Sequence, residues 1–387
     1  MTAPGLDADS TDPQTASVER RTLAAATTAH ALHDGYTDLL YLLLPVWQAE
    51  FGLGYAQLGA LRSTYTATMA ALQIPSSLLA ERISPVLVLA GGTALAAGCF
   101  LLAGLSAGVA GLFAALVLGG IGASVQHPVA SSLVSRVYTG ARSRSALGFY
   151  NFTGDLGKMV MPPLAAGLFA LMAWRPALWV VAGLGFIVAA LVVALAPPAA
   201  HATQSTHTPP PDIDVQTPAV KPPPPPSPYG FRLLLGIGIV DNAARSGFLT
   251  FLPFLLQAKG ASLATMALAL SLVLAGGALG KLVCGYLGAR LGVLTTVILT
   301  EGGTAAGIVT LLALPLEASL LLLPLIGIAL NGTSSVLYGT VPELVPAAAR
   351  TRAFGIFYTG TIGASALASP VMGLFADRLG VPMPCWA

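Results

Sequence analysis

The sequence predicts an all-α integral membrane protein, built as two pseudo-symmetric six-helix halves with the last helix missing, so that about 11 spans are present. Three observations predict this. Hydrophobic residues are 55% and charged residues 9% of the 387. A soluble chain would carry about 25% charged residues, so this one cannot cover its own surface and needs lipid around it. The second observation is a repeat: Thr153-Gly154-x-x-Gly157 returns as Thr359-Gly360-x-x-Gly363, and Gly167-Leu168-Phe169-Ala170 returns at the same offset as Gly373-Leu374-Phe375-Ala376. A duplicated membrane bundle points to a secondary transporter with its site between the copies. The third is the placement of lysine and arginine, taken up below.

A spanning helix needs roughly 20 mostly apolar residues. Residues 1–20 are polar, with Asp7, Asp9, Asp12 and Glu19, and do not read as a signal peptide; the expectation is a disordered cytoplasmic N-terminus. Residues 21–196 form the first half, with spans near 22–47, 56–80, 85–106, 109–135, 145–172 and 176–196. Residues 197–229 hold twelve prolines and read as a cytoplasmic linker, disordered or polyproline-like. Residues 230–387 form the second half, with spans near 231–257, 262–288, 292–314, 318–341 and 353–376. Trp174-Arg175-Pro176 opens the sixth span; its counterpart Gly380-Val381-Pro382 stands just before Ala387, where a twelfth should begin. The sequence reading expects either a truncated C-terminus or a protein of eleven spans.

With the N-terminus inside, eleven basic residues fall at cytoplasmic ends or loops: Arg20, Arg21, Arg82, Arg136, Arg142, Arg144, Lys221, Arg232, Arg290, Arg350 and Arg352. Arg175, Lys259 and Arg378 fall outside. This positive-inside bias sets the expected orientation. The net charge of +2, with no basic stripe, gives no reason to expect a nucleic-acid partner. Cys99, Cys284 and Cys385 lack metal-site spacing, and the first two read as small buried apolar residues. No nucleophile elbow, phosphate loop or metal cluster marks an enzyme. Glycine-rich runs such as Gly276-Gly277-x-x-Gly280 read as helix-packing surfaces. Met161-Pro162-Pro163 reads as a bend that a moving helix can use.

Charges inside the spans carry the functional reading, because each costs at least ~2.5–3.5 kcal/mol to insert and is usually paired or functional. His30, Asp34 and Asp38 lie four apart and form a polar stripe on the first helix. Two carboxylates one turn apart make Asp34 and Asp38 candidate proton carriers; support of folding from a hydrated cavity is the plainer reading. His33 does not fit the i,i+4 spacing of His30 and Asp34, and no cysteine joins them, so a metal site is disfavoured. Arg62 belongs to a cavity wall or an interface. His127, between Gln126 and Pro128, sits beside a helix bend and is either structural or cavity-lining. Asp155 and Lys158 are three apart and can pair. Their counterparts are Thr361 and Ala364, so the fold does not require the pair, and proton coupling through Asp155 with anion binding at Lys158 is the functional alternative. Tyr150 and Asn151 are placed with the cavity lining. Asp241 and Arg245, with Asn242, match the first helix's stripe and can neutralise each other. Lys281 and Glu301 are further possibilities, and Glu301 has no partner that sequence can place.

Gly285-Tyr286-Leu287-Gly288-Ala289-Arg290-Leu291-Gly292 resembles the signature loop of the major facilitator superfamily, usually Gly-x-x-x-Asp-Arg-x-Gly, with Ala289 at the acidic position. Ser77-Leu78-Leu79-Ala80-Glu81-Arg82 is its more degenerate first-half copy. The resemblance implies that Glu81, Arg82, Gly285 and Arg290 belong to cytoplasmic gate loops that latch the halves. His30-x-x-His33-Asp34, Glu50-Phe51 and His127-Pro128 are similar in particular to fosmidomycin-resistance-type efflux proteins. That resemblance covers about residues 25–376 without the linker. It implies a monomer in a bacterial-type inner membrane, with no cofactor, that exports a small anionic or amphipathic molecule by alternating access, with the proton gradient as energy source. The efflux motif expected in span five is only partly present, with Met161-Pro162 where Gly-Pro is usual. Two other readings stay open: a proton-coupled importer of a small organic acid or metal chelate, and a non-transporting membrane sensor or assembly protein.

Overall fold

The computed structural model describes residues 13–138, 140–197, 228–346 and 350–380; within these, the side chains of residues 140, 141, 144, 228, 289, 335, 342 and 350–352 are not described. Among the described residues the chain forms eleven long helices. They are α1 (Pro13–Phe51), α2 (Tyr55–Arg82), α3 (Pro85–Leu105), α4 (Val109–Val137), α5 (Gly140–Leu171), α6 (Trp174–Leu195), α7 (Pro228–Ala258), α8 (Leu263–Leu291), α9 (Val293–Ala313), α10 (Leu316–Leu344) and α11 (Arg350–Leu379). The expected spans each fall on one of these helices.

One boundary is corrected. Residues 13–20, expected to be disordered, are the opening turns of α1. Pro13 suits a first helical position, and Glu19, 5% exposed, takes an ion pair from Arg142 of α5 that holds this end down. Residues 1–12, the linker stretch 198–227 and residues 381–387, next to the expected twelfth span, lie outside the described residues.

Among the described residues, seven helices are long and apolar enough to cross a membrane by themselves: α3, α4, α6, α8, α9, α10 and α11. The other four, α1, α2, α5 and α7, are those that carry Asp34 and Asp38, Arg62, Asp155 and Lys158, and Asp241 and Arg245. Polarity that weakens their hydropathy is concentrated where they face the middle of the bundle.

In the first half α1 packs on α5 and α6, α3 on α4 and α6, and α2 on α4; in the second α8 packs on α10, α9 on α10, and α7 on α11. The halves meet through α2 with α11 and α5 with α8. Small residues make these approaches possible. A Cβ on Gly157 would lie 1.8 Å from the Ala31 carbonyl oxygen, so α1 and α5 touch backbone to backbone. Gly59 plays the same part between α2 and α11, where a Cβ would stand 2.3 Å from the Ser369 carbonyl oxygen. Gly276 and Gly280 face the Pro324 and Ile328 carbonyls of α10, which is the packing role expected of that run. Cys99 and Cys284 are free and buried, as expected.

The two ends of the bundle differ. At the end where α1 meets α2, Leu39 to Leu44 of α1 and Phe248 to Leu252 of α7 are all at most 5% exposed, so this end is sealed. There Asp377 of α11 accepts hydrogen bonds from the backbone N–H of Tyr55 (2.7 Å) and Ala56 (3.0 Å). The N-cap of α2 is Gly54, which has no side chain for this task, and a carboxylate is the favoured partner of a helix N-terminus. Asp377 therefore caps α2 from the other half. Two basic residues at this end are tied to neighbouring elements: Arg175 to Glu50 (2.5 Å) and the Ser106 carbonyl, Lys259 to the carbonyls of Leu312 and Leu314. Donation from Arg175 and Trp174 holds the Glu50 carboxyl below the usual carboxylate range. At the basic end, where α2 meets α3 and α8 meets α9, Glu81, Arg82 and Arg290 are exposed, and Arg290 lies over its own helix's Tyr286 ring at 4.8 Å.

Candidate substrate cavity

A cavity of about 580 Å³ lies between the halves. Of the residues expected in the site, Asp38, Arg62, His127, Asn151, Asp155, Lys158 and Arg245 line it. Four cations face this one space: Arg62 and Lys158 from the first half, Arg245 and Lys281 from the second.

The α1 stripe folds as the i,i+4 spacing dictates. His30 Nε2 lies 3.7 Å from Asp34, and Asp34 lies 3.1 Å from the Lys158 ammonium on α5. Gly154 makes the room, since a Cβ there would stand 2.4 Å from His30 Nε2 and 2.6 Å from Asp34 Oδ2. Lys158 also reaches Asp155 at 3.5 Å, the expected pair on one helix. The shorter contact to Asp155 comes from the other half: the Lys281 ammonium donates to both carboxylate oxygens, at 2.7 and 2.6 Å. Histidine, carboxylate, ammonium, carboxylate and ammonium thus form one ladder from α1 through α5 to α8. Next to it, Ser271 of α8 donates to the Met159 carbonyl of α5 at 2.6 Å, which pins the same helix pair.

Arg62 resolves to the cavity wall. It donates to Thr66 (2.5 Å) and to the Tyr41 hydroxyl (3.0 Å), and its guanidinium lies 4.6 Å from the Tyr41 ring centre. Asp38 lines the cavity with Lys158 and Arg62 as its charged neighbours. His127 sits where α4 widens into one π-helical turn, Gln126–Ala130. Pro128 lacks an N–H and crowds the preceding turn, and a widened turn relieves both faults.

Three residues expected to bind substrate lie behind the wall instead. His30 is 2% exposed, stacked on the Tyr150 ring at 4.0 Å and set edge-on to His127 at 5.3 Å. Tyr150, 2% exposed, donates to the Gln126 carbonyl and backs His30. Asp241, 2% exposed, accepts from Ser334 of α10 at 3.2 Å. Near-complete burial keeps all three out of the lining. Asp34 also lies behind the wall, with Lys158 between it and the cavity. Asp241 and Arg245 are 3.9 Å apart, but Arg245 spends its nearer bonds on Ser334 (2.8 Å) and Asn242. His33 turns away to Thr93 of α3, at 3.2 Å. Of the gate-loop residues, Glu81, Arg82 and Arg290 stand at the basic end, and Gly285 lies within α8 with no atom close to where its Cβ would be.

Sequence reasoning missed Tyr41, Asn331, Ser334 and Tyr338 in the lining. Tyr41 extends the α1 stripe by one more step. Asn331 and Ser334 are three apart in an apolar helix, a signal that was available. Among the described residues no three of His, Cys, Asp and Glu are placed to hold a metal ion.

The family pattern described as Major Facilitator Superfamily matches residues 27–240 and 234–387. The chain is 26% identical over 366 residues to the fosmidomycin resistance protein of Escherichia coli strain K12, covering 93% of this chain and 87% of that one. It is 28% identical over 164 residues to an uncharacterized MFS-type transporter of Mycobacterium tuberculosis, covering 41% of this chain and 28% of that one. Two solved structures share the fold at TM-score 0.75. One is a bacterial homolog of the human lysosomal transporter Spinster in an inward-facing and occupied conformation, 16% identical, covering 93% of this chain and 82% of that one. The other is the nucleoside transporter NupG, 14% identical, covering 95% of both chains.

Proposed function

The chain belongs to the major facilitator superfamily and is a multi-pass membrane transporter, not an enzyme, and we propose that it exports small anionic molecules in exchange for protons. The observation that carries this reading is the ladder Asp34–Lys158–Asp155–Lys281, which ends at a cation of the opposite half and opens on the cavity. The relative's resistance to fosmidomycin, a phosphonate, supports an anionic substrate and the outward direction. By the positive-inside rule the basic end is cytoplasmic and the chain's N-terminus lies inside, in a bacterial inner membrane. The sealed end then faces outward, and the cavity is loaded from the cytoplasm.

The residues act as follows. An arriving anion competes with Asp155 for Lys281 and Lys158, while Arg62 and Arg245 hold it from the two sides. Loss of the Asp155–Lys281 pair removes an ionic tie between α5 and α8, one of the seams at which the halves meet. The carboxylate so released is the group that takes or gives the proton. Asp34 holds Lys158 in place, and Asp38 is a second carboxylate within reach of the cavity.

A second reading rests on the same ladder. An anion on Lys281 frees one side of Asp155, so anion and proton can occupy the two partners together rather than in turn. That linkage favours co-transport and import. Acid-loaded inverted vesicles carrying the full chain separate the two. Export in exchange predicts that added fosmidomycin raises lumenal pH in a dose-dependent way, and that Asp155→Asn abolishes this while labelled fosmidomycin still exchanges across the membrane. A fall in lumenal pH on fosmidomycin entry selects co-transport. No pH change and no entry of labelled fosmidomycin or inorganic phosphate overturns the anionic assignment.

A further inference from the structure

Pairing inside the cavity leaves three charged groups over. The charged residues of the lining are Asp38, Asp155, Arg62, Lys158, Arg245 and Lys281. Both lysines are taken by carboxylates, Lys281 by Asp155 at 2.6 Å and Lys158 by Asp34 at 3.1 Å. The arginines are held by neutral groups instead. Thr66 and the Tyr41 hydroxyl hold Arg62, and among the described residues no carboxylate forms an ion pair with it. Ser334 and Asn242 hold Arg245, whose carboxylate neighbour Asp241 stays 3.9 Å away.

Asp38 is the third group. It is 7% exposed and lines the cavity, yet among the described residues it has no hydrogen bond and no ion pair. Asp34, one turn away on the same helix, has the Lys158 ammonium. A carboxylate drawn this far out of water needs a donor or a cation, and the protein supplies none to Asp38.

Two guanidiniums and one carboxylate thus face a single space without a contacting opposite charge. A phosphonate or phosphate dianion suits the guanidiniums, whose planar forks match its oxygens. A protonated amine on the same molecule suits Asp38. Such a ligand carries one net negative charge and leaves the occupied set neutral, whereas a plain alkyl phosphonate leaves Asp38 unserved. The cavity, about 580 Å³, also offers Met69, Leu249, Leu274 and Ile362 as apolar wall for a chain joining the two charged ends.

We infer that the cavity takes a zwitterion, an aminoalkyl phosphonate or phosphate, with its oxyanion at Arg62 and Arg245 and its ammonium at Asp38. The oxyanion's place rests on the proposed function. Asp38 is then a specificity-determining residue, because an anion without the amine leaves a buried acceptor unpaired.

The test is calorimetric titration of the purified full-length protein in detergent with 3-aminopropylphosphonate and with propylphosphonate. Each is measured in two buffers of different ionisation heat, with no gradient and no transport. The wild type should bind the amino compound about 10-fold or more tightly, the worth of a hydrogen bond between charged groups. Asp38→Asn should erase that preference and bind propylphosphonate at least as well as the wild type does. Equal binding of the two by the wild type would overturn the inference without need of any variant. If that equal binding took up a proton, and Asp38→Asn abolished the uptake, the cation that Asp38 meets would be the proton. A preference that survives in folded Asp38→Asn would place the amine elsewhere and overturn the inference as well. Each of these failures leaves the anionic reading standing, whereas binding of neither compound would remove both.

Discussion

Replacing Asp155 and Lys281 singly and together tests whether the ladder joins the halves energetically. Breaking a fully buried ion pair costs about 3–5 kcal/mol, and exposed pairs contribute roughly 0–1 kcal/mol. The Asp155 side chain is 11% exposed and that of Lys281 is 44% exposed, so water screens one partner. We expect a coupling of about 1–2 kcal/mol, between those limits. The single variants should also differ. Lys281→Met leaves Asp155 with Lys158 at 3.5 Å, whereas Asp155→Asn leaves Lys281 without its carboxylate partner and loosens Lys158. Asp155→Asn should therefore lower the thermal unfolding midpoint in detergent more than Lys281→Met. The double variant should lose less than the sum of the two, and the exchanged pair Asp155→Lys with Lys281→Asp should recover part of the loss. Additivity within about 0.3–0.5 kcal/mol would refute the coupling.

Gly157→Ala forces the Ala31 carbonyl away and should destabilise the bundle by about 1–3 kcal/mol, whereas its repeat counterpart Gly363→Ala, with no atom within 4 Å of the new Cβ, should be neutral or slightly stabilising in the same melt. Asp377→Ala removes an exposed cap worth about 0.5–1 kcal/mol, so spin labels at the exposed positions Gln57 and Leu379 should show a roughly 2–5-fold rise in the separated population at that end; an unchanged distance distribution would refute a role for the cap in holding that end together. Arg62→Lys keeps the charge but loses the planar stack on Tyr41, and fosmidomycin exchange should weaken while Asp155-dependent coupling survives. Glu50 is held below its ordinary pKa, so its contact with Arg175 contributes above the unfolded carboxylate's pKa and is lost as pH falls through the folded value; Arg175→Ala should remove that acid sensitivity from amide exchange at the α1–α2 turn.

The helices were legible because hydropathy and proline act locally, and each expected segment lies on a helix. Within-helix pairs were legible for the same reason: His30 with Asp34 and Asp155 with Lys158 are fixed by helical spacing. The contacts that define the site join different helices, namely Asp34 with Lys158 and Asp155 with Lys281. Spacing along one chain does not say which face of one helix meets which face of another, so Lys281 and Glu301 stayed as unplaced possibilities. Helix rotation decided Tyr150 the other way: it lies next to Asn151, which lines the cavity, yet points back at His30. One cross-helix signal was present. The repeated glycines of Thr153-Gly154-x-x-Gly157 mark a close approach, and in the first half that approach is what seats His30 and Asp34 beside α5.

The cap on α2 has a consequence for how the molecule is made. Asp377 stands 322 residues along the chain from the Tyr55 N–H that it satisfies. Synthesis proceeds from the N-terminus, so the first half enters the membrane with the opening N–H groups of α2 unserved by any side chain of Gly54. Water at the bilayer surface has to fill in until α11 arrives. A first half produced alone would carry that fault permanently, with a frayed start to α2. Its repair, seen as late protection of the Tyr55 and Ala56 amides, would mark the moment when the two halves first dock.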